Sequence, residues 1–120
     1  MKIRNGLPIV LLLAISPTFA AGNCAKYMSV RAYEVTDSNE VARVAKKEFV
    51  PIVKKIEGFI SWDLIAVSKT KLITVSGFDN EVAAYESAEK AKQWGAKALA
   101  GLVVTPPEIS NGEVIASSCE

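Results

Sequence analysis

The chain has 120 residues, enough for one domain, with 14 basic and 13 acidic side chains and no histidine. The near balance leaves no basic block to track a phosphate backbone, so nucleic acid is excluded as a partner. The missing histidine excludes a Ser-His-Asp triad, a Cys-His pair and histidine-ligated haem.

Lys2 and Arg4 precede the apolar run Leu7 to Ile15, and Ser16-Pro17-Thr18-Phe19-Ala20-Ala21 follows. A basic start, an apolar core too short to span a bilayer and small residues before a cut describe a signal peptide over residues 1–20. Cleavage falls after Ala20 or, as second choice, after Ala21; an uncleaved anchor is the rival reading. Loss of Lys2 and Arg4 turns the formal charge from +1 to −1, with 12 basic residues left against 13 acidic. No second long apolar run follows, so the remaining domain, residues 21–120, needs no membrane once exported to the periplasm or beyond.

Cys24 and Cys119 stand at the two ends of that domain. In an oxidising compartment an even pair reads as a disulfide, which would close nearly the whole domain into one loop. Two rivals are an acylated lipoprotein cysteine at Cys24 and a free thiol pair. Asn23 argues against the first, because that processing wants a small residue just before the cysteine.

Tyr27 to Val35 alternates and is rich in aromatic and β-branched residues, which predicts a strand. Asp37 with Glu40 resembles a capping box. Val41, Ala45, Phe49, Ile52 and Ile56 then recur on one helical face up to Gly58, with Pro51 removing a backbone donor and predicting a kink near Lys47. Phe59 to Ser68, a tight turn and Leu72 to Phe78 form a hairpin. Asp79 can cap a long alanine-rich helix in which Ser87 can cap a second start. Small residues from Ala84 through Gly95 to Ala98 would let this helix lie close to the sheet. Val103 to Asn111, with Pro106-Pro107, reads as a loop and Gly112 to Ser118 as a last strand.

The order βαββαβ is that of the ferredoxin-like α+β fold, an antiparallel sheet with two helices on one face. Right-handed crossovers put the first strand between the third and fourth, which brings Cys24 beside Cys119. Met28, Val30 and Ala32 with Ile73, Val75 and Gly77 read as the side under the helices. Arg31, Tyr33, Thr74, Ser76 and Phe78 would then occupy the bare side, a mixed surface suited to a homodimer interface around a small pocket. Trp62 shares a side with Ile60 and Leu64, and Asp63 faces the other way with Ser61.

The strand with Arg31 and Tyr33, the helix ending in Glu57-Gly58-Phe59 and the strand KLITVSGFDN leading to a helix with Ser87 and Trp94 resemble the antibiotic biosynthesis monooxygenase (ABM) domain. This family is a branch of the dimeric α/β barrel superfamily, and the resemblance covers Tyr27 to Ser118. It implies a homodimer with facing sheets and a pocket between each sheet and its helices. Trp62 and Trp94 would line that pocket. Some such proteins oxidise quinols or polycyclic aromatics without a cofactor, and others degrade haem. Their catalytic groups are an Asn, Trp or Tyr, often with a His on the second helix. This chain departs there: Phe78 stands where haem-degrading relatives carry a tryptophan, and Ser87 is the nearest counterpart of the histidine.

Arg31 and Tyr33 are the first candidates to orient an anionic or phenolic ligand, against the alternative of an interface ion pair and packing. Asp63 could act as a base, against a merely solvated carboxylate. Trp62 and Trp94 are pocket walls or core. Thr74, Ser76 and Phe78 fit a pocket wall or an interface equally. The expected protein is an exported homodimer that binds, and oxidises without cofactor or metal, a small aromatic or quinone-like compound. The alternative is an interaction module that kept the fold and lost the chemistry.

Overall fold

The computed structural model describes residues 23–119; the signal peptide expected over residues 1–20, residues 21 and 22, and Glu120 lie outside them. The chain runs β1 (Tyr27–Glu34), α1 (Ser38–Val44), a π-helical turn (Ala45–Phe49), α2 (Val50–Val53), β2 (Phe59–Ser68), β3 (Lys71–Phe78), α3 (Glu81–Ala98) and β4 (Glu108–Glu113). α1, the π turn and α2 form one continuous first helix. The sheet order is β2-β3-β1-β4 with every neighbour antiparallel, the ferredoxin-like α+β arrangement expected.

Local chemistry explains the first helix. The Asp37 carboxylate accepts from the amides of Asn39 and Glu40, capping the N-terminus. Glu40 does not reach back to complete a capping box. Its carboxylate takes the Arg43 guanidinium at 2.6 Å, and this hydrogen bond holds the Glu40 carboxyl below its usual range. Pro51 has no amide to offer the preceding turn, and the helix responds by widening: the Val50 amide bonds back to Ala45 O. Where a kink near Lys47 is expected, the irregularity takes the form of this π turn.

The hairpin turn Lys69-Thr70 is anchored from below. Ser38, only 2% exposed, donates through Oγ to the carbonyl of Ser68 at 2.6 Å, and its amide donates to Lys69 O at 2.7 Å. Gly58 turns the chain into β2 at a φ of 95°, where a side chain would meet Ala83 Cβ at 3.0 Å.

Three local expectations need correction. Asn80, not Asp79, caps α3, accepting from the Ala83 amide at 2.9 Å. Ser87 starts no second helix; it is buried within α3. The last strand is Glu108–Glu113, mostly inside the stretch predicted as loop, while 114–118 form no strand. Asn111-Gly112 has poor strand propensity, yet β1 supplies a ladder of main-chain partners. Ser29 sits opposite Asn111 and donates to its Oδ1 at 2.6 Å.

The larger correction concerns the two faces of the sheet. The side under the helices carries Tyr27, Tyr33, Leu72 and Phe78, together with Phe59, Trp62 and Leu64. Met28, Val30 and Ala32 with Ile73, Val75 and Gly77 lie on the bare side. β1 and β3 reverse together because their ladder is unbroken, and β2 is carried onto the same side by a pair of irregularities. Ser68 pairs with Lys71, but Ala66 pairs with Leu72, so Val67 is an extra residue in the ladder; a second shift falls between Phe59 and Ser61. One extra residue moves a strand's side chains to the opposite face relative to its partner. Trp62 therefore lies across from Ser76 and Leu64 from Thr74.

Cys24 and Cys119 are joined in a disulfide, their Cα atoms 5.8 Å apart. The Val114 amide bonds to Lys26 O just inside this link, so the chain beyond β4 stays beside the entry to β1. The bridge spans 95 residues, a loop worth about 4–5 kcal/mol in the chain-entropy model. Replacing both cysteines by serine should cost about 2–4 kcal/mol in urea unfolding. An unchanged unfolding midpoint would mean that the bridge contributes nothing to stability.

Candidate functional site

Between the sheet and the two helices lies a cavity of about 790 Å³. Its floor is the covered face of β1 and β3. Alternation along those strands sends Arg31 and Tyr33 up from β1 and Leu72, Thr74 and Ser76 up from β3. Arg31 pairs with Thr74 across the ladder on one side and with Ile109 of β4 on the other. Ile109 and Pro107 close that flank.

The opposite flank is aromatic. Phe49, delivered by the π turn, stands between the two tryptophans: its ring centroid is 6.0 Å from Trp62 and 5.2 Å from Trp94. Trp94 Nε1 donates to Glu48 Oε1 at 3.1 Å, so two successive residues of the π turn engage α3 through one indole. That contact sets the separation of the two helices over the cavity.

The roof is α3. Its small residues do not bring the helix down onto the sheet along its whole length, as the sequence suggests. Ala83 and Ala84 do pack into the core, whereas Ala88, Ala91 and Gly95 border the cavity and leave it volume. A Cβ built at Gly95 finds only Leu99 Cδ1, at 3.9 Å.

Of the residues singled out from the sequence, Arg31, Tyr33, Trp62, Thr74, Ser76 and Trp94 line this one cavity. Two do not. Asp63 pairs with Val75 on the bare face and is exposed, so it cannot serve the cavity as a base. Phe78 is completely buried in the core, edge-on to Phe59 at 6.3 Å. Arg31 and Tyr33 themselves lie under the helices and not on the bare face. Phe49, Ile109 and Gly95 are cavity residues that sequence reading did not place there. Phe49 was legible only as helix core, and Ile109 was hidden in a supposed loop.

The electrostatics centre on Arg31. Its Nε is buried without a hydrogen-bond partner, and Glu40–Arg43 is the one ion pair among the described residues. Glu89 and Lys92, one of each sign, stand exposed on α3 where it borders the cavity. Thr74, directly across the ladder from Arg31, and Ser76, two residues further along the same face of β3, are buried hydroxyl residues lining the same cavity. No group of three or more His, Cys, Asp or Glu among the described residues could hold a metal ion. The arrangement is one cation and several hydroxyls set in an apolar, aromatic-walled space.

A helix-filling substitution probes the roof. Gly95→Ala should raise stability by up to about 1 kcal/mol, since the helix gains propensity and the methyl group meets open space. Gly95→Trp should keep the fold and occupy the cavity, read as unchanged far-ultraviolet circular dichroism with loss of ligand-induced tryptophan quenching.

No family model matches the chain, and no curated protein is significantly similar to it. Solved structures do match. A monooxygenase from the gene ActVA-Orf6 of Streptomyces coelicolor, in complex with nanaomycin D, superposes with a TM-score of 0.67 at 12% identity, covering 78% of this chain and 90% of that one. SnoaB, a cofactor-independent oxygenase from Streptomyces nogalater, gives 0.65 at 14% identity, covering 81% of this chain and 100% of its own. A putative antibiotic biosynthesis monooxygenase from Nitrosomonas europaea gives 0.61 at 17% identity, over 75% and 99% of the two chains. At such identities the likeness speaks for the backbone alone, and on that ground the domain has the fold of the antibiotic biosynthesis monooxygenase-like proteins.

Proposed function

We propose that the protein is exported, pairs with a second copy and binds a small aromatic or quinone-like compound in the cavity under its helices. The observation that carries this reading is the cavity itself: about 790 Å³, walled by Phe49, Trp62 and Trp94 and floored by Arg31 and Tyr33. Flat aromatic surfaces offer a ring its preferred tilted contacts, and a guanidinium or phenol fixes its orientation. Export is supported by the signal-like leader in the sequence and by the Cys24–Cys119 bridge, which suits an oxidising compartment.

Oxidation without a cofactor is the activity this site suits. A quinol that loses its proton is itself a reductant of oxygen, and the cation of Arg31 favours the anion. The structural likeness to a cofactor-independent oxygenase supports the same reading. A second reading, binding without turnover, is favoured by one observation: Asp63 lies on the opposite face, and the chain has no histidine to act as base. Oxygen uptake with a panel of quinols separates the two. Substrate-dependent uptake that Arg31→Ala abolishes without unfolding the protein is the expected result. No uptake across the panel would leave the binding reading, and unchanged turnover in the variant would remove Arg31 from it.

Pairing is supported by the bare face. Val30 and Ile65 are 38% and 48% exposed there, beside Ile73 and Val75, an apolar surface larger than isolated side chains account for. Val30→Glu should convert a dimer to a monomer in native mass spectrometry. A monomeric parent protein at micromolar concentration would overturn the paired assembly.

A further inference from the structure

Arg31 sets a demand that the protein does not meet. Its Nε is buried and unpartnered, and among the described residues no carboxylate lies within ion-pair distance of the guanidinium. Its neighbours on the sheet are Thr74 and Ile109 across the ladder and Tyr33 along the strand, none of which carries a negative charge at neutral pH. Glu89, which also borders the cavity, is exposed on α3. Arg31 is half-buried, and the part of its guanidinium already out of water has no counter-charge, so an occupant of the cavity that is neutral would strip away more of its water without replacing it.

The surroundings say what would offset that cost. Thr74 is buried directly across the ladder from Arg31, Ser76 is buried two residues along the same face, and Trp62 lies directly across the ladder from Ser76. A carboxylate is planar and accepts two parallel hydrogen bonds, which matches the fork of a guanidinium; the hydroxyls can satisfy its remaining lone pairs. An aromatic ring attached to such a carboxylate would reach the indole of Trp62.

We infer that the ligand is an aromatic acid, its carboxylate seated on Arg31, Thr74 and Ser76 and its ring against Trp62. The inference rests on the cavity being a binding site for small aromatics, and it adds that the anionic group is the primary requirement. A neutral quinone or hydrocarbon of the same shape would bind weakly, because it leaves the guanidinium uncompensated.

The test is a matched pair of probes, naphthoate and the neutral naphthamide, titrated into the mature disulfide-bonded protein with tryptophan fluorescence and calorimetry as readouts. Naphthoate should bind at least about tenfold more tightly than naphthamide, the difference one charge-assisted bond supplies. Arg31→Gln should abolish that preference, weakening naphthoate and, with no cation left to desolvate, tightening naphthamide. Arg31→Lys, which keeps the charge and loses the fork, should retain an intermediate preference and serves if the glutamine variant does not fold. Equal affinity for the two probes in the parent protein would overturn the acid requirement and leave the aromatic site standing. Preference surviving in Arg31→Gln would overturn the assignment to Arg31. Binding of neither probe would overturn the aromatic site and the inference together.

Discussion

The register of the β2–β3 hairpin decides what meets what in this molecule. Val67 is one residue more than a regular ladder needs, and it rotates the rest of β2 by half a pleat relative to β3. Were Val67 paired with Leu72 in an even ladder, Leu64 and Trp62 would share a face with Ile73 and Val75. With Val67 as an extra residue, they stand over Thr74 and Ser76, and the same face of β1 brings Arg31 and Tyr33 under the helices. Through this displacement Trp62 reaches the face that already carries Arg31, which adds an indole to the cavity's aromatic flank. The bare face is apolar because the β-branched residues of β1 and β3 lie on it.

This explains how far the sequence could be read. β1, β2 and β3 are legible to within a residue because their alternation and turn residues are strong local signals. The disulfide was legible because the crossover rule brings Cys24 and Cys119 together independently of any side-chain detail. The assignment of faces was not. The central residues of one side of β1 and β3 are the more uniformly apolar, and hydrophobicity alone therefore pointed to the side that the structure leaves bare, while the bulge that sets the side of β2 leaves no mark in a sequence like IAVSKTKL. β4 was missed for a related reason. Its pairing is made by main-chain groups of β1 and a Ser29–Asn111 contact, not by β propensity of its own.

Two departures from regular helix geometry act together at the cavity. Pro51 forces the π turn, and that turn presents Phe49 to both tryptophans while turning Glu48 toward Trp94. A regular helix advances 100° per residue, so removing the turn would redistribute these groups around the helix. Across the cavity, alanines and a glycine on α3 withhold the side chains that would otherwise fill the space. The site is therefore shaped as much by backbone irregularity and missing bulk as by the polar groups within it. Neither property is visible in a search for catalytic residue patterns.

The bridge between Cys24 and Cys119 has a bearing on timing. β4, which supplies Ile109 to the cavity wall, is an edge strand with all six residues exposed, and it lies between a proline pair and the bridge. Before the thiols oxidise, only main-chain bonds to β1 and the Ser29 contact retain it. Edge strands held in this way open at lower free energy than the core they flank. A newly made chain in reducing surroundings would thus carry an intact helix-covered core and an intermittently open cavity. Once the bridge forms, the chain beyond β4 is fixed to the entry of β1, and the Ile109 side of the cavity is held more steadily in the oxidised protein than in the reduced one.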